Sequence, residues 1–186
     1  MSNSIYFLRH AETKIDLSIP VREWSLTADG INLTQMLSRE SVFENIKGIV
    51  HSSERKAQQT AEIFAKELSI PTYEIPELDE LRRNHQGKLS QDEYRSCVRE
   101  TLTKWDTNTS LWESANDALN RFKEGVRRIN IMYHNNDVLA VSHGMVLILY
   151  FSSLRNLENI AYERWSQLAF LSWGLVRDGK VLIDII

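Results

Sequence analysis

Short apolar runs separated by amphipathic stretches recur along the chain. Four of these runs are typical of buried strands, being four to six residues long and rich in β-branched or aromatic residues; they lie at residues 5–8, 48–51, 72–75 and 137–142. Two later runs, at residues 168–176 and 181–185, flank Asp178 and Gly179. An Asp-Gly pair favours a tight turn, so the last two runs are predicted to form an antiparallel hairpin.

Helical periodicity fills most of the gaps between the strand runs. Apolar residues recur three and four positions apart after Thr27, after Ser53, after Ser114 and over residues 145–151. Thr27 and Ser53 also have the side-chain chemistry of helix N-caps. Strands that alternate with helices predict βαβ units and a mostly parallel sheet, so the fold class is α/β. The closing hairpin adds at least one antiparallel strand.

Residues 76–110 break this regular alternation. The segment is more polar and less periodic than the rest of the chain. We interpret it as a loop with helices, forming a small cap or insertion around residues 76–112. The chain length fits one domain, which we expect to span residues 1–186.

The balance of acidic and basic residues indicates which kinds of binding partner are expected. The 186 residues include 22 Lys and Arg and 25 Asp and Glu, a formal net charge of −3. This balance gives no support to nucleic-acid binding, although a local cationic pocket is compatible with it. The single cysteine, Cys97, cannot form an internal disulfide, which favours a reducing, cytoplasmic setting. No apolar stretch is long enough to cross a bilayer, so no membrane partner is expected.

Short polar segments lie at the carboxyl ends of three predicted strands. They are Arg9-His10, His51-Ser52 and Ser142-His143-Gly144. In open α/β sheets the ligand site lies beyond the carboxyl ends of the strands, so these side chains are expected to share one site.

The residue types at these strand ends suit phosphoryl chemistry. A neutral imidazole is a nucleophile that titrates near neutral pH, which makes His10 and His143 candidates. Phosphoryl transfer needs cationic donors around the transferring group, and Arg9 presents a planar fork of them. Arg55 and Lys56 lie in the first turn of the helix after the second strand, where free N–H groups also favour anions.

Three motifs resemble those of the histidine phosphatase superfamily, also called phosphoglycerate mutase-like. The first is Leu8-Arg9-His10-Ala11-Glu12-Thr13, which is similar to the family's Arg-His-Gly-Glu-Thr. The second, from residue 52 to 62, resembles Ser-x-x-x-Arg-Ala-x-Gln-Thr-Ala. The third is Val141-Ser142-His143-Gly144. They occur in family order and span most of the chain.

The resemblance implies a fold, a mechanism and a set of roles. His10 would be the nucleophile that becomes phosphohistidine, Arg9 would bind phosphoryl oxygens, and His143 would hydrogen-bond the transferring group. The implied fold is a three-layer α/β/α sandwich, and the implied chemistry needs no metal and no organic cofactor. Water would attack the phosphohistidine in a second step.

The sequence departs from the family pattern at three positions. Lys56 stands where the second motif has arginine, with Arg55 one place earlier, so either of them is a candidate for the phosphate pocket. Asp16 stands where the family often has asparagine, and it is included among the candidate phosphate-binding residues. Arg83 stands where counting back from Gly87 places the usual acid. Glu80 is therefore the first candidate for the general acid and Asp16 the second.

The primary hypothesis is a phosphatase that hydrolyses a phosphoryl group from a small molecule or a protein, with a small molecule favoured. One alternative is a non-catalytic phosphate-binding module of the same fold, since Lys56, Asp16 and Arg83 are departures from the catalytic pattern. A weaker one is a metal-dependent hydrolase that uses a histidine and glutamate set: His10, Glu12, His51 and His143. The late strands are rich in apolar residues, and an exposed sheet edge there would allow two copies of the chain to pair as a homodimer.

Overall fold

The computed structural model describes residues 3–83, 89–107 and 112–186. Within these residues the elements are, in chain order, β1 (Ser4–Arg9), α1 (Ala28–Leu37), β2 (Ile46–His51), α2 (Arg55–Leu68), β3 (Thr72–Glu74), α3 (Gln91–Thr103), α4 (Ala115–Met132), β4 (Asp137–Ser142), α5 (Gly144–Arg155), α6 (Ala161–Gln167), β5 (Trp173–Arg177) and β6 (Lys180–Ile183). Single turns of 3-10 helix occur at Val21–Glu23, Ser41–Phe43, Pro76–Leu78 and Glu158–Ile160. No helix in this part of the chain is long and apolar enough to cross a membrane.

The strands form one mixed sheet in the order β3-β2-β4-β1-β5-β6. The pairs β1–β4, β2–β3 and β2–β4 are parallel, and the pairs β1–β5 and β5–β6 are antiparallel. Asp178 and Gly179 both have positive φ, as the predicted hairpin turn requires. The prediction of a mostly parallel α/β sheet with a closing hairpin is confirmed.

Helices cover both faces of the sheet because successive strand residues point to opposite sides. On one side Ile5 and Phe7 of β1 pack with the buried residues of α3, α4 and α5. On the other side Tyr6 and Leu8 pack with the buried face of α2. Two separate apolar clusters with the sheet between them make the three layers of the expected sandwich.

The segment before β5 differs from the prediction of a strand beginning at residue 168. β5 begins only at Trp173, because Leu171 has a φ of 60°, a left-handed conformation that interrupts extended backbone. The helix α6, which no periodic pattern predicted, precedes it and has only seven residues. Leu168 and Phe170 instead form a connection that reaches the carboxyl end of β1.

The segment predicted as a cap contains α3, which packs into the main body. Val98 and Leu102 on its inner face are fully buried in the same apolar cluster as α4 and α5. Residues 84–88 and 108–111, which include the Gly87 used in the sequence argument, lie outside the described residues. The division into one domain with a cap stays a prediction.

The late strands place β6 at one edge of the sheet. Leu182 and Ile183 of this strand are exposed. Pairing of this edge with a second copy of the chain stays a prediction.

Candidate active site

The sheet brings His10 and His143 together at one edge. β1 and β4 are parallel neighbours in which Arg9 pairs with Ser142, so the histidine after each strand lies at the same level. Their ring centroids are 5.1 Å apart with an angle of 59° between the ring planes. Both side chains are buried, with 6% of His10 and 0% of His143 exposed.

One nitrogen of His10 is fixed by the backbone. Nδ1 lies 2.8 Å from the carbonyl oxygen of Ala11, which only accepts hydrogen bonds, so Nδ1 carries the hydrogen. Nε2 then keeps its lone pair. Burial lowers the pKa of His10 well below its usual value, and the neighbouring His143 and Lys56 lower it further. The ring is therefore neutral at physiological pH, as a nucleophile must be.

His143 is held at the start of α5 by a serine of the second motif. Its Nε2 lies 2.6 Å from Oγ of Ser52. Within the described part of the chain, its buried Nδ1 has no hydrogen-bond partner. Burial lowers the pKa of His143, and the carboxylate of Glu54 opposes that effect. A neutral ring with one unused nitrogen can exchange a hydrogen bond with a bound group.

Arg9 is positioned by the connection between α6 and β5. Its Nη1 donates to the carbonyl oxygen of Leu168, and its guanidinium carbon lies 4.2 Å from the ring centroid of Phe170. The same ring lies 5.6 Å from the ring of His10. The Nε atom of Arg9 is buried and has no partner among the described residues. Arg9 thus retains a donor for an anion beside the nucleophile.

Lys56 enters the site and Arg55 does not. Arg55 is exposed on the outer face of α2, whereas only 5% of Lys56 is exposed. Nζ of Lys56 donates to the carbonyl oxygen of Val21 at 3.1 Å and forms an ion pair with Glu54. Of the two candidates, the buried Lys56 is therefore the one placed among the site residues, and phosphate binding by the exposed Arg55 stays a prediction without a supporting contact.

Glu54 is a site residue that the sequence argument missed. Burial by itself would raise the pKa of this carboxyl group, but His143 (when protonated in acid), the charge of Lys56, and the hydrogen bonds from Lys56 and the Glu80 N–H lower it to about 2. Its Oε1 lies 3.8 Å from Nε2 of His143. The available signal was a carboxylate two positions before the cation of the second motif.

Glu80 lies at the N-terminus of α5, next to the second histidine. Its Oε2 accepts the N–H of Met145 at 3.1 Å and its Oε1 accepts that of Val146 at 3.2 Å. The first amides of a helix have no partner within the helix, so a carboxylate stabilises them. The structure therefore brings the first acid candidate to the site.

Asp16 accepts hydrogen bonds from residues of its own loop. Its Oδ1 accepts hydrogen bonds from the backbone N–H of Ser18 at 2.9 Å and from the Ser18 hydroxyl, and its carbonyl oxygen accepts the indole N–H of Trp24. A carboxylate engaged in this way provides no hydrogen for a phosphate oxygen. These contacts give no support to the expectation that Asp16 binds phosphate.

The metal hypothesis required Glu12 and His51 beside the two other histidines. Glu12 instead accepts the hydroxyl of Thr27 at 2.9 Å, and Nδ1 of His51 bonds the carbonyl of Ser52 at 2.7 Å. In residues 3–83, 89–107 and 112–186, no group of three or more His, Cys, Asp or Glu side chains is arranged to hold a metal ion.

A cavity of about 380 Å³ opens beside Arg9 between α3 and α6. Two arginines, two aromatic residues, a serine and a leucine line it: Arg9, Arg95, Tyr162, Trp165, Ser166 and Leu168. A volume of this order accommodates a small organic group.

A family model described as histidine phosphatase superfamily (branch 1) matches residues 5–177. The chain belongs to this superfamily. The family predicted from the three motifs is thereby confirmed.

Phosphatases are among the similar proteins. The adenosylcobalamin/α-ribazole phosphatase of Escherichia coli is 25% identical over 161 residues, covering 81% of this chain and 78% of that protein. The structure of YhfR from Bacillus stearothermophilus has a TM-score of 0.77 at 23% identity, covering 97% of this chain and 95% of that one. A phosphoserine phosphatase variant from Entamoeba histolytica, solved with phosphoserine, has a TM-score of 0.76 at 18% identity, covering 97% and 94%. The two structures show that the fold is shared.

Proposed function

We propose that this protein is a phosphatase that works through a phosphohistidine at His10. The observation that carries the proposal is the pair of buried rings 5.1 Å apart, in which the hydrogen on Nδ1 of His10 leaves Nε2 with its lone pair. Few other reactions need a neutral, buried imidazole that faces a second imidazole and an arginine.

In the first step Nε2 of His10 attacks phosphorus, the N–P bond forms, and the bond to the leaving oxygen breaks with its electron pair. Arg9 donates hydrogen bonds to the phosphoryl oxygens, and His143 stabilises the transferring group from the opposite ring. The leaving oxygen takes a proton from an acid, for which Glu80 is our candidate because it lies beside His143 at the start of α5.

In the second step water attacks phosphorus and the N–P bond breaks, which returns the electron pair to His10. The carboxylate of Glu80 accepts a proton from the attacking water, so the enzyme regains its starting state. Glu80 gives one proton to the leaving oxygen in the first step and regains one from water in the second, so the chemistry is balanced without a cofactor. We therefore propose a reaction that needs neither a metal nor an organic cofactor.

The substrate proposal follows from the cavity beside Arg9. The relatives are named for α-ribazole and phosphoserine, which differ widely, so family membership leaves the substrate open. We propose a small phosphorylated molecule whose leaving group extends between Arg95 and the rings of Tyr162 and Trp165. An aromatic group that carries an anion fits this lining. A reducing cytoplasmic location, suggested by the unpaired Cys97, belongs to the same proposal.

A non-catalytic phosphate-binding module remains a second candidate because of one observation. Lys56, the cation of the second motif, is already paired with Glu54. A site with a neutralised cation could bind phosphate without turning it over. This candidate predicts phosphate binding and no hydrolysis.

The test is the hydrolysis of para-nitrophenyl phosphate by the protein and by the variant His10→Ala. We expect the variant to lose at least about a thousandfold in kcat, as happens when a nucleophile is removed. The exposed His134 provides the matched control, and His134→Ala should retain full activity. A phosphoenzyme that is labile in acid and absent from His10→Ala would support the intermediate. Undiminished turnover by His10→Ala would end the proposal.

A further inference from the structure

A carboxylate lies in the part of the site where the substrate anion is proposed to bind. Oε2 of Glu54 is paired with Nζ of Lys56, and Oε1 lies 3.8 Å from Nε2 of His143. The ion pair is buried, since 12% of the Glu54 side chain and 6% of the Lys56 side chain are exposed. One oxygen of the carboxylate thus bonds the cation and the other lies near the ring of His143, and both of these groups are proposed to face phosphoryl oxygens.

Backbone groups hold both members of the ion pair in place. The N–H of Glu80 donates to Oε1 of Glu54 at 3.1 Å, and Nζ of Lys56 donates to the carbonyl oxygen of Val21 at 3.1 Å. Two of the three hydrogens of the ammonium group are therefore engaged inside the protein. A phosphoryl group that approaches Lys56 must compete with these partners.

The Glu54–Lys56 ion pair carries no net charge at physiological pH. Burial alone would raise the pKa of Glu54, but its charged and hydrogen-bonding neighbours lower it to about 2, so the carboxylate is ionised at physiological pH. A phosphate dianion that enters the site meets a fixed negative charge and a cation that is already compensated. In a buried site such repulsion between like charges is screened only weakly.

We propose that Glu54 is a specificity-determining residue that competes with the phosphoryl group for Lys56. The inference rests on the phosphate site of the proposed function and deepens it. Inorganic phosphate and other small phosphate anions bind weakly, because phosphate alone must open the Glu54–Lys56 pair. The substrates are phosphorylated molecules with a large leaving group, whose contacts beside Arg95 and Trp165 offset that cost.

The test is calorimetric titration of inorganic phosphate at pH 7.5 into the protein and into the variant Glu54→Gln. Glutamine keeps the shape and an oxygen for the N–H of Glu80 but removes the charge. We expect the variant to bind phosphate about tenfold more tightly, or better, because the repulsion is removed and Lys56 is released. Adding Lys56→Met to Glu54→Gln should reverse most of the gain.

Two controls keep the test decisive. Glu62 lies exposed on α2, the helix that carries Lys56, and accepts a hydrogen bond from Gln58. Glu62→Gln therefore removes one negative charge, as Glu54→Gln does, but outside the site. Its phosphate affinity should stay within about twofold of the unaltered protein, since exposed charges are strongly screened. Thermal melting monitors folding, and Glu54→Leu serves as a second neutral variant if Glu54→Gln does not fold.

The outcomes separate this inference from the proposed function, because the titration measures binding and not turnover. Unchanged or weaker phosphate binding by Glu54→Gln overturns the inference, even if para-nitrophenyl phosphate is hydrolysed. Tighter binding supports it, even if no hydrolysis occurs and the proposed phosphatase activity fails. Phosphate binding too weak to measure in both the protein and the variant also overturns it.

Discussion

The hydroxyl oxygen of Ser52 lies 2.6 Å from Nε2 of His143 and accepts the backbone N–H of Glu54. Because the oxygen is already an acceptor from Glu54, its own hydrogen is free to be donated to the imidazole. Ser52 thereby connects the end of β2 to the second histidine and fixes the orientation of its ring.

Removal of this hydroxyl should affect both stability and activity. In Ser52→Ala the buried Nε2 of His143 loses its partner, which should lower the free energy of unfolding by about 1–3 kcal/mol. The ring also loses its fixed orientation, so kcat should fall more than KM rises. Urea denaturation and steady-state kinetics measure the two effects. Ser153→Ala, which removes a hydroxyl from the far end of α5, is the control, and equal kcat values for the two variants would contradict the role of Ser52.

Gly144 allows Arg9 to pass close to the start of α5. A Cβ atom at this position would lie 3.3 Å from Nε of Arg9 and 3.5 Å from Nε1 of Trp165. The guanidinium of Arg9 also contacts the Leu168 carbonyl and the ring of Phe170, so a shift away from the new Cβ atom would disturb these contacts. Gly144→Ala should therefore displace Arg9 and lower kcat/KM by about tenfold or more.

Folding should survive the same substitution. Alanine has a higher helix propensity than glycine, so α5 itself should not be weakened. The prediction is checked by kinetics together with a thermal melt. A kcat/KM that stays at the unaltered level would show that Gly144 has no part in positioning Arg9.

The low pKa of His10 sets the acid side of the activity profile. Burial and the neighbouring His143 and Lys56 place this pKa well below the usual 6.5, so the nucleophile stays unprotonated in mildly acidic solution. We expect kcat/KM at pH 6 to lie within about twofold of its value at pH 7, with the loss at lower pH. Measurements at constant ionic strength decide this. An acidic limb with its midpoint at 6.5 or above would contradict the prediction.

The same shift makes stability depend on pH. Around and below pH 6.5 the unfolded chain binds protons at His10 and His143, whereas the folded state, with both pKa values lowered, binds fewer at the same pH. The unfolded state therefore binds more protons, and the free energy of unfolding falls as pH decreases, by up to about 1.4 kcal/mol per pH unit for each histidine. Urea denaturation between pH 7.5 and 5.5 tests this, and His10→Asn should have a shallower slope. Identical slopes would contradict it.

The sequence predicted the sheet well because its strands are short, buried and separated by periodic helices. It also predicted that His10 and His143 would meet, since residues that follow parallel neighbouring strands emerge at the same edge. The connection before β5 could not be predicted, because the left-handed backbone of Leu171 leaves no mark on an apolar run of residues. That connection carries Phe170, which packs on Arg9.

The pairing of Glu54 and Lys56 was beyond the sequence pattern for a geometric reason. On a regular helix, residues two apart do not face each other. Glu54 lies at the N-cap of α2 in extended conformation, with a φ of −83° and a ψ of 135°, so its side chain leaves in a different direction from those of the helix. The sequence likewise could not show which of Glu80 and Asp16 lies at the start of α5, where the structure has Glu80; the general-acid role of Glu80 stays a proposal.

Arg95 provides a test of the leaving-group cavity. It is exposed on α3 and lines the cavity with Trp165, so its cation should contact an anionic group on the substrate. Arg95→Ala should raise KM for 4-carboxyphenyl phosphate by up to about fivefold, the range of an exposed ion pair, and leave kcat unchanged.

The same variant should have an unaltered KM for para-nitrophenyl phosphate, because that leaving group has no carboxylate to lose a contact. Arg127→Ala removes an exposed arginine from α4, where its partner is Glu124, and should affect neither substrate. High salt should reduce the difference between Arg95→Ala and the unaltered protein, since ions screen an exposed pair. If Arg95→Ala raised KM equally for both substrates, Arg95 would act only by long-range attraction of the phosphate group. The leaving group would then have to bind outside this cavity.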